Sequence, residues 1–315
     1  MVRLPNAKGA ILPHNLHMEK VLMVGCGDVA MRVARLCASH CRLFGLLRNA
    51  ARGSELRAAG IVPLAGDLDE RHSLRRLAGV ADIVLHFAPP PGTGGQDRRT
   101  RNLLAALSRG KPPRQLVYIS TSGVYGDCSG RLVDETHAPN PQTPRAQRRL
   151  DAERQLRAWA KRNGVAVSIL RVPGIYAAGR LPLERLRTGT PAIEAGQDGY
   201  TNHIHADDLA HVVLAALRHA KPNRIYHASD DSDLRMGDYF DMVADAYGLP
   251  RPPRLSRAEV ERTVAPSLWS FMNESRRLSN DRMKRELRVA LRYPRVGDAL
   301  QGAGMFRGEQ QSHDA

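Results

Sequence analysis

Cysteine, lysine, aromatic side chains and long apolar runs are all scarce in this sequence, and each scarcity removes a class of protein. The four cysteines, Cys26, Cys37, Cys41 and Cys128, are too few in 315 residues for a disulfide-stapled scaffold. Cys37 and Cys41 lie one turn apart on an expected helix with no histidine pair beside them, so small core residues are expected rather than a zinc site. Nothing points to an oxidising compartment, and a cytoplasmic setting is expected. No apolar run reaches the roughly 18 residues that span a bilayer, so no membrane partner is expected. Residues 1–18 carry Pro5 and Pro13, no period and no continuous apolar stretch of the secretory kind, and read as a flexible N-terminal arm.

Six lysines leave 41 arginines among the 47 basic residues, against 32 acids, for a net charge of +15. That excess invites a nucleic-acid reading. The arginines, however, are spread over most of the chain and interleaved with acids, and aromatics make up only 5% of residues. Neither a basic stripe nor a stacking platform follows, so no nucleic-acid partner is expected. With 42% hydrophobic and 25% charged residues, the chain has the composition of a globule able to bury a full core.

What the chain does contain is a glycine turn at the head of a regular alternation. Residues 21–24 form a short apolar run, Gly25-Cys26-Gly27-Asp28-Val29-Ala30 follows, and apolar residues recur at Val29, Val33 and Leu36. Period two giving way to period 3.6 predicts strand, tight turn and helix. The turn fits G-x-G-x-x-A: Gly25 for the bend, Gly27 for close approach of backbone to a pyrophosphate, Ala30 for helix–strand packing. A helix starting there turns unpaired N–H groups and a positive dipole end toward that pyrophosphate, so residues 25–30 are the expected dinucleotide contacts.

A second strand over 42–47 ends at Leu47-Arg48-Asn49. An NAD-type site places an acid here for the ribose 2′-hydroxyl, and this chain has none. Arg48, with Arg52 a turn later, suits a 2′-phosphate instead, which favours NADP over NAD. A third strand over 62–64 leads into Gly66-Asp67-Leu68, and a fourth over 83–87 leads into the Pro/Gly loop 88–95 that begins at Ala88. Asp67 and Leu68 are expected at the adenine and Ala88 at the nicotinamide, because open α/β sheets bind ligands at the carboxyl ends of their strands. His86, inside an apolar strand, reads as a packed core residue.

Further strands are expected over 115–120, 165–171 and 224–228, and helices over 97–107, 144–162 and 206–219. Thr143 can cap the long helix and Pro144 suits its first position. His205, ahead of Asp207 and Asp208, reads as a helix cap. The alternation predicts an α/β fold: a doubly wound, Rossmann-type parallel sheet of about seven strands with helices on both faces. Beyond Ala228 the strand rhythm stops, and 238–247 and 257–263 read as helices. The expected organisation is a dinucleotide-binding domain over 19–228, with an insertion over about 173–200 belonging to a smaller, mostly helical substrate lobe. That lobe continues over 229–300 and is followed by a polar tail over 301–315.

The glycine turn, Gly66-Asp67-Leu68, Ile119-Ser120-Thr121 with Val124-Tyr125-Gly126, Leu170-Arg171 through Ile175-Tyr176, and His203-Ile204-His205-Ala206-Asp207-Asp208-Leu209-Ala210 occur in this order. As a set they resemble the extended short-chain dehydrogenase/reductase superfamily, the NAD-dependent epimerase/dehydratase group, in an atypical branch. The resemblance implies a Ser or Thr after the fifth strand, matched by Thr121, and a Tyr-x-x-x-Lys pair that moves the proton and holds the nicotinamide ribose. Aligned through Leu150 and Glu153, the tyrosine position holds Arg145 and the lysine position holds Arg149. Arginine keeps its proton in proteins, so Arg145 cannot replace tyrosine as acid or base, whereas Arg149 can still bind ribose hydroxyls.

Three arginines (Arg145, Arg148 and Arg149) in the first turns of a helix face the positive end of its dipole, an arrangement that a bound anion would relieve. Thr121, Tyr125, Arg145 and Arg149 are therefore the candidate catalytic residues, and Arg180 and Arg277 the candidate contacts for an anionic substrate. The expected function is NADP-dependent oxidoreductase or epimerase-like chemistry on a small, anionic or nucleotide-sugar-like substrate, by a monomer or homodimer. The rival reading is a non-catalytic NADP(H) sensor or scaffold that kept the cofactor site and lost the tyrosine.

Overall fold

The computed structural model describes residues 19–303; the expected arm over 1–18 and positions 304–315 of the expected tail lie outside them. The apolar runs form seven parallel strands: β1 (Glu19–Val24), β2 (Cys41–Leu47), β3 (Ile61–Ala65), β4 (Ile83–His86), β5 (Gln115–Thr121), β6 (Ala166–Val172) and β7 (Arg224–His227). Their order across the sheet is β7-β6-β5-β4-β1-β2-β3, with every pairing parallel. The chain reverses direction across the sheet between β1 and β4, which opens a crevice at their carboxyl ends, where such sheets take ligands.

Helices cover both faces, as parallel strands with two apolar faces require. On one side α1 (Asp28–Cys37) packs beside the helix Ala206–His219, α2 (Gly53–Ala58) adds Leu56, and Val33, Leu43, Leu85, Val117 and Val213 share the same core. On the other, α3 (Arg98–Leu107) and α4 (Pro144–Asn163) close over Leu22, Val84, Tyr118 and Ile169. Thr143 caps α4, its Oγ1 accepting the Ala146 N–H at 3.2 Å, and Pro144 occupies the first turn. His205 caps its helix through Nδ1, which accepts from Asp207 N. His86 is buried, as expected, with Nε2 3.0 Å from Thr100 Oγ1.

The C-terminal part is helical, but it also contains two-residue strands that periodicity cannot register. Ala192–Ile193 pairs with Arg254–Leu255, Tyr200–Thr201 with Leu234–Arg235, and Leu132–Val133 with Arg277–Leu278. These pairings tie the insertion and the loop after β5 to the chain beyond β7. The polar tail expected from 301 needs one correction: the helix Val296–Ala303 runs into it, because Val296 and Leu300 bury against Tyr239 and Val243.

Candidate functional site

The glycine turn sits at the carboxyl end of β1. Gly25 has φ +96, and a Cβ there would lie 2.5 Å from the backbone nitrogen of Ala88, so both conformation and space demand glycine. Gly27 has an ordinary φ of −91, and nothing lies within 4 Å of where its Cβ would be. That open face adjoins the start of α1, where Gly27 offers no side-chain cap to the first N–H groups. Ala30 is buried against the sheet. Cys26 is a packing residue: its thiol donates to the Leu46 carbonyl at 3.8 Å, and burial pushes it up to about 11. Asp28 is paired with Arg32 at 2.9 Å and Arg180 at 3.4 Å, and Arg32 also reaches Asp207.

At the ends of β2 and β3 lies a cavity of about 370 Å³ lined by Arg48, Arg57, Asp67 and Gly66 among others. The side chains of Arg48 and Arg57 make no hydrogen bond or ion pair to another described residue. Arg52 is absent from the lining, because Glu55 holds its guanidinium through two hydrogen bonds of 2.8 and 2.9 Å. The second cation at this cavity is thus Arg57, which helical spacing sets four residues after Gly53, on the cavity face. Open glycine backbone, an uncapped helix start and a largely apolar cavity carrying two arginines at the sheet edge together fit a dinucleotide. Leu68 is buried and Asp67 half-buried at the rim, and Ala88 abuts Gly25.

The other half of the crevice lies between β5 and α4. Thr121 ends β5 half-buried, and its Oγ1 accepts the Gly123 N–H at 3.2 Å. Arg149 projects from α4 onto the strand ends, Nη1 donating to the Ile119 carbonyl at 2.8 Å and to Tyr118 Oη at 3.1 Å. Arg145, one turn earlier, lies with its guanidinium 3.7 Å from the ring centroid of Phe271, which belongs to the helix Pro266–Met272 of the C-terminal lobe. Burial lowers the pKa of Arg145, and the nearby Arg149, Arg276 and Arg148 push it the same way against Glu274. Arg148 is buried and donates to the Gly94 carbonyl at 2.7 Å, which anchors the Pro/Gly loop.

Tyr125 does not open onto this crevice. It is 1% exposed, its hydroxyl lies 2.6 Å from His227 Nε2, and it accepts from Arg171 Nη1 at 2.7 Å. Arg171 is in turn bonded to Glu153 at 2.7 Å, and Ser120 donates to the same carboxylate at 2.6 Å. Burial pushes the Tyr125 phenol up to about 12 and the His227 imidazole down to about 3. The remaining two candidates also have protein partners: Arg180 holds Asp28 at the start of α1, while Arg277 donates to the Gly130 carbonyl at 3.0 Å and faces Asp233 and Tyr200. It is the neighbouring Arg276 that joins the group around Arg145. The signal available in the sequence was the placement of charges inside apolar patterns: Glu153 on the buried stripe of α4 and Arg171 in β6 each call for a buried partner.

The family of NAD-dependent epimerases and dehydratases matches residues 31–228. A functionally unknown conserved protein from Silicibacter pomeroyi has a solved structure 30% identical to this chain, with a TM-score of 0.75 over 91% of this chain and 99% of the other. The UDP-glucuronic acid 4-epimerase of Bacillus cereus, solved with UDP-glucuronic acid and NAD, shares the fold at 19% identity, with a TM-score of 0.71 over 91% and 98%. In sequence, a 4-hydroxy-2-methyl-3-oxo-4-farnesyl-3,4-dihydroquinoline-1-oxide ketoreductase of Stigmatella aurantiaca is 24% identical over 86% of this chain and 92% of its own. Fold, glycine turn and these matches agree: the chain belongs to the NAD-dependent epimerase/dehydratase family, in the extended short-chain dehydrogenase/reductase class.

Proposed function

We propose that this protein is an NADP-dependent oxidoreductase of the epimerase/dehydratase class that acts on a small anionic or nucleotide-sugar-like substrate without a Tyr-x-x-x-Lys pair. The observation that carries the reading is the cavity at the ends of β2 and β3, where Arg48 and Arg57 stand unpaired and β2 ends without an acid. Two guanidinium groups there suit a 2′-phosphate in charge and in donor geometry. Gly25, Gly27 and the first turn of α1 would hold the pyrophosphate, Asp67 the adenosine, and Arg149 the nicotinamide ribose through N–H groups other than Nη1. The bound dinucleotide would supply the hydride acceptor or donor.

The chain's own residues do the rest. Thr121 offers its hydroxyl to the substrate oxygen. Arg145 keeps its proton and contributes fixed positive charge and N–H donors where negative charge develops on that oxygen. The Tyr125 phenol is bonded to His227 and Arg171, so the substrate proton is exchanged with solvent. The test is a pH–rate profile of NADPH oxidation with carbonyl substrates. Without a titrating tyrosine the alkaline limb stays flat until arginine or the fold fails; a limb set by a group near neutral pH would contradict the assignment.

The second reading, a redox sensor, is favoured by the same arginine substitution. Tight binding of one redox form only, with no turnover on any carbonyl, would select it.

A further inference from the structure

Around the tyrosine position the structure gathers far more positive charge than it neutralises. Arg145, Arg148, Arg149 and Arg276 lie within electrostatic reach of one another at the start of α4, whose dipole adds to the same sign. Glu274 opposes Arg145, and Arg276 already holds it at 2.7 Å, while Asp97 lies within electrostatic reach of Arg149. Arg145 makes no hydrogen bond or ion pair to another described residue and rests on the face of Phe271. Arg148 is 7% exposed, and its Nε is buried with no partner; the Nε of Arg276 is likewise buried and unpartnered. Buried guanidinium donors are costly to leave unpaired, and like charges crowded together add to that cost.

We infer that this cluster is the binding site for an oxyanion carried by the substrate itself, a carboxylate or phosphate close to the reacting carbonyl. Arg145 from α4 and Arg276 from the lobe hold it, with the exposed Phe271 ring as the lobe-side wall. The substrate class is thus a small keto or hydroxy acid, or its phosphorylated counterpart. This rests on the oxidoreductase reading for its chemistry, but the anion site stands on the cluster alone.

The test is thermal unfolding of the whole protein with inorganic phosphate or oxalate, at constant ionic strength and without dinucleotide, followed by the fluorescence of its two tryptophans, Trp159 and Trp269. Both anions are expected to raise the melting temperature saturably, and Arg145→Gln to weaken their binding at least ~10-fold, the loss expected for one charge-assisted contact. Without anion, Arg145→Gln should melt close to the wild type, because relief from the neighbouring arginines offsets the lost stacking on Phe271; a large fall would make Arg145 structural and overturn the proposal. Equal anion affinity in the variant, or no shift in the wild type, would also overturn it. The same titration at saturating NADP+ separates the two sources of oxyanion: an undiminished shift assigns the site to substrate, whereas its loss through competition assigns it to the dinucleotide and contradicts the proposal. Calorimetry with NADP+ alone is the separate test of the cofactor reading, so either can fail without the other.

Discussion

A phenol enclosed between an arginine and a neutral histidine has a structural task before any other. Removing the Tyr125 hydroxyl leaves Arg171 Nη1 and His227 Nε2 without their partner in a buried place. Tyr125→Phe is therefore expected to cost about 1–3 kcal/mol in denaturant unfolding while leaving dinucleotide affinity unchanged. The glycine turn separates into two roles in the same way. Gly25→Ala forces a Cβ to 2.5 Å from Ala88 N in a left-handed conformation, so it should destabilise the fold. Gly27→Ala meets nothing in the protein, so it should fold normally and lose affinity for the dinucleotide; wild-type affinity would mean that no ligand approaches that face. The sequence made the turn legible because its backbone demands are written in residue type. It did not reveal Arg57, because which of several neighbouring arginines is tied down depends on Glu55, whose pairing with Arg52 emerges only from the helix geometry.

At the scale of elements, long periodic segments were readable and short paired ones were not. The strands of the sheet are apolar on both faces, and α4 carries a cap, a proline start and a buried stripe, all visible in sequence. Thr143→Ala should remove one capping hydrogen bond and cost about 1 kcal/mol in thermal unfolding. Two-residue strands such as Arg277–Leu278 have no period, and their partners lie far away in sequence, so the face each side chain presents could not be assigned. That is why Arg277 was singled out and Arg276 was not: Arg276 immediately precedes the two-residue strand, and its contacts with Glu274 and the Gly126 carbonyl come from tertiary packing. The lobe's contact with α4, Phe271 against Arg145, was hidden for the same reason.

For the molecule as a whole, burial of neutral histidines sets the response to acid. Burial pushes His86, His203 and His227 down to about 3 from an ordinary 6.5. Unfolded chains take up these protons below about pH 6.5 and the fold does not, so stability is full above that pH and falls as the pH drops toward 3. Asp230 works in the opposite sense: burial raises it to about 7, so the stability it contributes is complete below about pH 4 and is lost as the pH rises through 7. Burial raises Asp97, Glu135 and Asp198 in the same sense as Asp230 and lowers His205 with the other histidines; the large histidine shifts dominate, and the melting temperature is expected to rise from pH 4 to 6.5, whereas a flat profile would show these imidazoles reaching solvent.

Cofactor preference is set at the arginine-lined cavity at the ends of β2 and β3 in the proposed function. Calorimetric titration of the wild type and Arg48→Ala with NADP+ and with NAD+ tests it directly. The expected result is NADP+ binding at least ~10-fold tighter than NAD+, the scale of one charge-assisted phosphate contact, with that preference erased in the variant and NAD+ affinity unchanged. Equal affinity for both dinucleotides, or no binding of either, would contradict it.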